Sequence, residues 1–211
     1  MLVAALGLHL LAVAMLVLLR YINPPTTGVQ LQRRIEALVA GARYDKREAF
    51  VPLRRISPQL RRAVIAAEDT RFYQHAGIDW QEIQIVATKA QNGDLPRGAS
   101  TIAQQLVKNL FFTTHRNPFR KVAELTLAPA AVVILGRERL LELYLNVVEW
   151  GPGVFGAEAA AQYHYRMSAA HLDADQAARL AAILPAPRTH KPSQMDDYSA
   201  IILARMPLAH R

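Results

Sequence analysis

The stretch SPQLRRAVIAAEDTRFYQHAGID, residues 57–79, decides the class of fold. Ser57 followed by Pro58 is a helix start, because the hydroxyl can accept from a first-turn amide and proline gives up an N–H that would have no partner there. Leu60, Val64 and Ile65 then recur at helical spacing. The same period runs on either side, at Leu31, Ile35, Leu38 and Val39 before it and at Ile102, Leu106 and Leu110 after it. Alternating strand patterns are scarce. The spacing predicts a mainly α domain of many short helices, with Ser100 or Thr101 capping the helix that holds Gln104, Gln105 and Lys108.

Composition narrows the function classes. A chain of 211 residues, 52% hydrophobic and 20% charged, allows one core of ordinary size and excludes disordered and fibrous classes. Lys and Arg number 25 against 17 Asp and Glu, a formal charge of +8, so the expected partner is anionic: nucleic acid, a phospholipid surface or a phosphorylated substrate. No cysteine occurs, which removes disulfide scaffolds, thiolate metal sites and cysteine nucleophiles.

Residues 2–19, LVAALGLHLLAVAMLVLL, contain His9 as their only strongly polar side chain. As a helix they would cover most of a hydrocarbon layer about 30 Å thick. The expectation is a transmembrane anchor over 1–20, a linker over 21–30 stiffened by Pro24 and Pro25, and a globular domain over 31–211. A cleaved signal peptide is the rival, but Arg20, Tyr21, Ile22 and Asn23 make no small-residue cleavage pattern. A buried core helix is the plainer reading.

Four segments could carry chemistry. In AAEDTRFYQHAGID, residues 66–79, Glu68 closes an apolar helical run, and a continued helix would put Phe72 and His75 on its face. A partly desolvated carboxylate there suits a general base, while a solvated helix end is the structural alternative. In RGASTIAQQLVKN, residues 97–109, Ser100 and Thr101 stand at a helix start whose free amides favour an anion. Gln104 and Lys108 follow as an i, i+4 pair. Between Lys89 and Lys121 six basic residues, Lys89, Arg97, Lys108, Arg116, Arg120 and Lys121, face one acid, Asp94. That excess fits a phosphate or pyrophosphate site, or else a solvated basic face. In NPFRKVAELTLA, residues 117–128, Arg120 and Lys121 are close enough to Glu124 to pair with it or share a ligand. In GRERLLELYLNVVEWGPGVFGAEAAAQYHY, residues 136–165, the Leu140, Leu141, Tyr144, Leu145 stripe reads as core packing. Gly151, Gly153 and Gly156 mark an irregular connection. His75 and His164 are metal-ligand candidates only in the loosest sense.

Taken together and in order, these motifs resemble the peptidoglycan glycosyltransferases of glycosyltransferase family 51, and among them the monofunctional, membrane-anchored enzymes. The resemblance runs from about Tyr21 to Ser193, through NPPTT, EDTRFYQHAG, GASTIAQQLVKN, RKVAE, RERLLELYLNVVEWGPGVFGAEAAAQ and LAAILPAPRTHKPS. It implies a lysozyme-like multi-helix domain over 31–211 that polymerises disaccharide units of lipid II through β-1,4 linkages, with inversion and release of undecaprenyl pyrophosphate. Carried over residue by residue, it implies Glu68 as general base toward the acceptor 4-hydroxyl and Glu124 as the donor-side carboxylate. Lys108 and Arg116 become pyrophosphate contacts, and Ser100, Gln104, Gln105, Arg120 and Lys121 neighbouring donor-site residues. It implies a divalent cation, Mg²⁺ or Mn²⁺, near the donor, and no organic cofactor. The partners it implies are lipid II, the growing glycan chain, the membrane and other cell-wall synthesis or division proteins, with no nucleic acid. The location it implies is the bacterial inner membrane, single-pass, with the catalytic domain in the periplasm.

This chain departs from the family pattern in three places. Gly136-Arg137 stands where Ser-Lys is usual, Val132 where many relatives carry an acid, and Pro129 interrupts the same apolar run, which predicts a kinked or repacked helix. A glycan-cleaving enzyme on a related fold would have little use for the cation cluster. A non-catalytic membrane scaffold would not need Glu68 and Glu124. Nucleic-acid binding finds no motif.

Overall fold

Ser57 caps as its place before Pro58 predicts, its side chain accepting from the amide of Gln59. The computed structural model describes residues 2–92, 98–115 and 117–209. Along the described residues run α1 (Leu2–Leu19), α2 (Gly28–Val39), β1 (Arg47–Glu48), α3 (Pro58–Glu68), α4 (Trp80–Gln91), α5 (Ile102–Phe111), α6 (Pro118–Val147), β2 (Glu149–Gly151), β3 (Val154–Phe155), α7 (Ala157–Tyr165), α8 (Ala174–Ile183) and α9 (Asp196–Arg205). The fold is mainly helical, as the periodicity predicts.

Helix α3 is the central rod. Leu60, Ala63, Val64, Ile65 and Ala66 are buried on it, packed against α8, whose Ala177, Ala178, Ala181 and Ala182 are also buried. Small side chains let these two helices approach closely, and α9 packs against both of them. The most extensive helix contact joins α5 to α6, burying Leu106 and Val107 from one and Leu127, Ala128 and Ala131 from the other. Helix α3 thereby presents its C-terminal end, Glu68, toward the α5 layer.

The three short strands form one sheet in the order β1-β3-β2, with β3 parallel to β1 and antiparallel to β2. Strands of two or three residues carry no alternation long enough to detect, so the sequence shows only their glycines. Gly153 and Gly156 must stay glycine: their φ angles are 72° and 86°, and an added Cβ would lie 2.6 Å from the Asp45 carbonyl oxygen in one case and 2.8 Å from that of Asn146 in the other.

Two local expectations are corrected. Helix α6 breaks at Gly136 (φ 72°, ψ 162°), while Pro129 lies within its helical backbone. Glycine takes that left-handed geometry without the Cβ clash any other residue would meet. The second half of α6 then opens with Arg137, whose guanidinium donates to the carbonyls of Phe72 and His75 and so grips the loop that follows α3. Glu68, Phe72 and His75 also do not share a helical face. Helix α3 stops at Glu68, Asp69 turns out of it (φ −162°, ψ 69°), and Phe72 folds into the core.

Among the described residues no helix is long and apolar enough to cross a membrane. Helix α1 has 18 residues, a rise of about 27 Å. Its end is tied down: Leu16 and Leu19 are buried, α1 packs on α6, and Arg139 donates to the carbonyls of Leu19 and Ile22 and to Asn23 Oδ1.

Candidate active site

Glu68 is half-buried at the end of α3, where helix geometry carries its carboxylate to the start of α5. Its Oε2 accepts from Gln105 Nε2 at 2.7 Å, and Gln105 Oε1 in turn accepts from the Tyr144 hydroxyl at 2.8 Å. An ionised carboxylate can only accept, so Glu68 draws the amide N–H, and the Tyr144 hydroxyl steadies that orientation by donating to the amide oxygen turned toward it. Tyr144 is fully buried. Burial, reinforced by the charges of Glu68 and Asp69, holds its phenol well above the ordinary range, which keeps it a donor. Tyr144 was legible only as core. Its chemistry shows once α6 is laid across α5.

From Gln105 the contacts continue to the second carboxylate. Gln105 Nε2 also reaches the Ser100 carbonyl at 3.4 Å, and Ser100 Oγ accepts from Lys121 Nζ at 3.0 Å. Lys121 donates further to Gln104 Oε1 at 3.3 Å and Glu124 Oε2 at 3.4 Å. Arg120 lies 3.1 Å from the other Glu124 oxygen, at ion-pair distance without aligned hydrogen-bond geometry. Glu124 is buried, so it needs this cationic company.

Lys108, half-buried on α5, lies within electrostatic reach of Glu68, Glu124, Arg120 and Lys121. Burial pulls its ammonium below the ordinary 10.5, opposed by Glu124 and Glu68 and assisted by Arg120 and Lys121. One lysine that senses both carboxylates and both neighbouring cations puts the two halves of the site in one electrostatic field. Eight of the nine expected site residues therefore meet: Glu68, Ser100, Gln104, Gln105, Lys108, Arg120, Lys121 and Glu124. Arg116 lies outside the described residues, as does Arg97.

Three details differ from expectation. Gln104 pairs with Lys121 and the Thr101 backbone, completing a capping box, and not with Lys108. Two of the amides at the start of α5 are engaged by protein, Ile102 N by Asp69 Oδ2 at 3.0 Å and Gln104 N by Thr101 Oγ1 at 3.2 Å, which leaves the side-chain cations as the stronger attraction for an anion. His75 is a brace: its Nε2 meets Asp69 Oδ1 at 2.7 Å while its Nδ1 accepts from Gly77 N at 3.1 Å. Asp69, His75 and Asp79 bring three potential ligand atoms within 4.8 Å of one another. Each is committed to protein, with Asp79 held by Arg71 and capping α4, which makes the group a hydrogen-bonded knot under the loop.

Residues 33–207 of this chain match the protein family described as Transglycosylase, a span that takes in every group of this network. The chain belongs to the transglycosylase family. It is 44% identical over 173 residues to the biosynthetic peptidoglycan transglycosylase of Laribacter hongkongensis, covering 80% of this chain and 76% of that one. The protein of the same name from Dechloromonas aromatica is 44% identical over 194 residues, 90% of this chain and 84% of its own. That of Pseudomonas syringae is 42% identical over 187 residues, 89% and 79%. In this transglycosylase the two carboxylates differ in setting: Glu124 is buried and faces cations, Glu68 is more open and faces an amide.

Proposed function

We propose that this chain, a peptidoglycan glycosyltransferase, takes lipid II as substrate, with Glu68 as the base and the Lys108, Arg120, Lys121 cluster as the pyrophosphate site. The acceptor 4-hydroxyl is a poor nucleophile until its proton leaves, and Glu68 takes that proton as the new C–O bond forms. The donor's anomeric C–O bond breaks toward the pyrophosphate, whose growing negative charge meets fixed cations. Glu124 holds those cations in place between turnovers. Displacement from the face opposite an α-linked pyrophosphate leaves a β-1,4 bond, with no sugar-enzyme intermediate. The observation that carries this reading is the continuous chain of contacts from Glu68 through Gln105, Ser100 and Lys121 to Glu124. Arg116 belongs to the same donor site by resemblance.

Glu124 is a poor fit for a resident divalent cation, because both of its oxygens already face Arg120 and Lys121 and Lys108 adds a third positive charge nearby. Mg²⁺ or Mn²⁺ fits better as a counter-ion arriving on the pyrophosphate itself.

Helix α1 is the membrane element in this reading. Leu6, Leu8, Leu10 and Leu11 are all exposed on it. They would face acyl chains in the bacterial inner membrane, with the globular domain in the periplasm. Tethering confines catalyst and lipid-linked substrate to one surface. Incubating the purified chain with labelled lipid II tests the reaction: glycan polymer is the expected product, and cleaved fragments or untouched lipid II would reject it.

The Tyr144 relay gives a finer expectation. Tyr144→Phe removes the hydrogen bond that steadies the Gln105 amide, about 1–1.5 kcal/mol, and so weakens the amide's donation to the Glu68 carboxylate. Turnover should fall about 5–10-fold. The acid limb of the pH–rate profile should move upward, since a carboxylate that loses a donor holds its proton longer, with little change in KM. A uniform loss of rate at every pH would mean that Tyr144 is packing alone.

A further inference from the structure

Helix α2 is amphipathic the wrong way round. Beside the buried Val29 its inward side is polar: Gln30 donates to Glu48, and Gln32 exchanges hydrogen bonds with Thr114 at 2.8 and 2.7 Å. Arg33 Nε donates to Glu149 Oε2 at 2.9 Å on the same side. Its outward side is apolar, with Leu31, Ile35, Leu38 and Val39 exposed by 52, 51, 69 and 85%. A single exposed leucine needs no explanation, but four such residues on successive turns, with the hydrogen-bonding groups turned inward, are arranged for something other than water.

The charges around the stripe say what that is. Glu36 is engaged by Gln32, Arg33 and Arg188. Arg34, next to Ile35, and Arg43, just beyond the helix, are exposed. An apolar stripe edged by cations matches the boundary between acyl chains and anionic headgroups. Residues 20–27 separate it from α1, and Tyr21 and Ile22 within that connection are exposed as well.

We propose that α2 is an interfacial helix, its Leu31, Ile35, Leu38 and Val39 stripe seated in the headgroup–acyl boundary of an anionic bilayer with Arg34 and Arg43 toward lipid phosphates. The proposal rests on the reading of α1 as membrane-embedded. A second contact fixes the height and tilt of the domain over the membrane. Because α2 is bonded to Thr114, just past the end of α5, its depth is transmitted to the helix carrying Lys108.

The chain has no cysteine, so a single introduced thiol reports one place. Leu38→Cys, labelled with an environment-sensitive fluorophore, is placed in vesicles of phosphatidylglycerol and phosphatidylethanolamine. Blue-shifted emission, quenched by nitroxide carried near the lipid headgroup and shielded from aqueous iodide, is expected. Leu8→Cys, labelled likewise on α1, separates the two readings: deep-nitroxide quenching there with water-like emission at position 38 overturns the α2 proposal and leaves the anchor standing. Water-like emission at both positions overturns both. Shielding at 38 that fades as protein is diluted at constant lipid assigns the stripe to a second copy and also overturns it. A chain carrying Leu38→Glu with Val39→Glu should polymerise vesicle-embedded substrate several-fold more slowly and match the unaltered chain in detergent micelles. Equal loss in both settings would sink the proposal.

Discussion

Glu68→Gln is expected to lower glycan polymerisation by about 10²–10⁴-fold, the range a positioned general base supplies, while leaving the fold in place. Glutamine matches the carboxylate in size and can still present an oxygen to Gln105 Nε2, now 2.7 Å from the carboxylate. The position ends a helix and is half-buried, so no core cavity opens. What disappears is the ability to receive a proton: an amide cannot drive ionisation of a sugar hydroxyl. Thermal unfolding should therefore be nearly unchanged while kcat collapses and KM for lipid II stays close to its starting value. Near-normal polymer from this variant would remove Glu68 as the base, and a collapse of folding along with activity would leave the carboxylate a structural group.

How much of this was legible depends on the reach of each signal. The helix containing Glu68 was written in five residues, Ser57, Pro58, Leu60, Val64 and Ile65, because a cap and a helical period are local properties. The pairing of Arg120 and Lys121 with Glu124 was likewise local, set by three- and four-residue spacing on one helix. Tyr144 was not legible as part of the site. It lies 39 residues from Gln105, and its place in an apolar stripe hides a hydroxyl that meets the amide only after α5 and α6 pack. The break in α6 went to the wrong residue for a related reason. Pro129 is the louder sequence signal, but Gly136 is where the chain turns to let Arg137 reach the Phe72 and His75 carbonyls. The inverted polarity of α2 was invisible too, since a helical period says that one face differs from the other and not which of them points inward.

Lys108→Ala is the second large effect, an expected loss of about 10²–10³-fold in kcat/KM for the lipid-linked donor. That is the range for deleting one preorganised group opposite a developing charge. Lys108→Arg should keep part of the activity, because the charge survives while the compact ammonium is exchanged for a planar fork. The stability effect runs the other way. Burial holds Lys108 below its ordinary value of 10.5, so its protonated form is disfavoured in the folded chain relative to the unfolded one. That cost is fully present below the folded pKa and vanishes as pH rises from the folded pKa toward the unfolded one. Lys108→Met, similar in length and uncharged, should therefore unfold at a higher temperature at neutral pH while losing activity, the signature of a group kept for chemistry at the expense of stability. The same lowering brings the alkaline decline of activity in below the pH of an ordinary lysine, and Lys108→Arg should push that decline upward. A Lys108→Ala enzyme with unchanged donor kinetics, or a Lys108→Met chain that melts earlier, would place the phosphates elsewhere and make Lys108 an ordinary structural partner of Glu124.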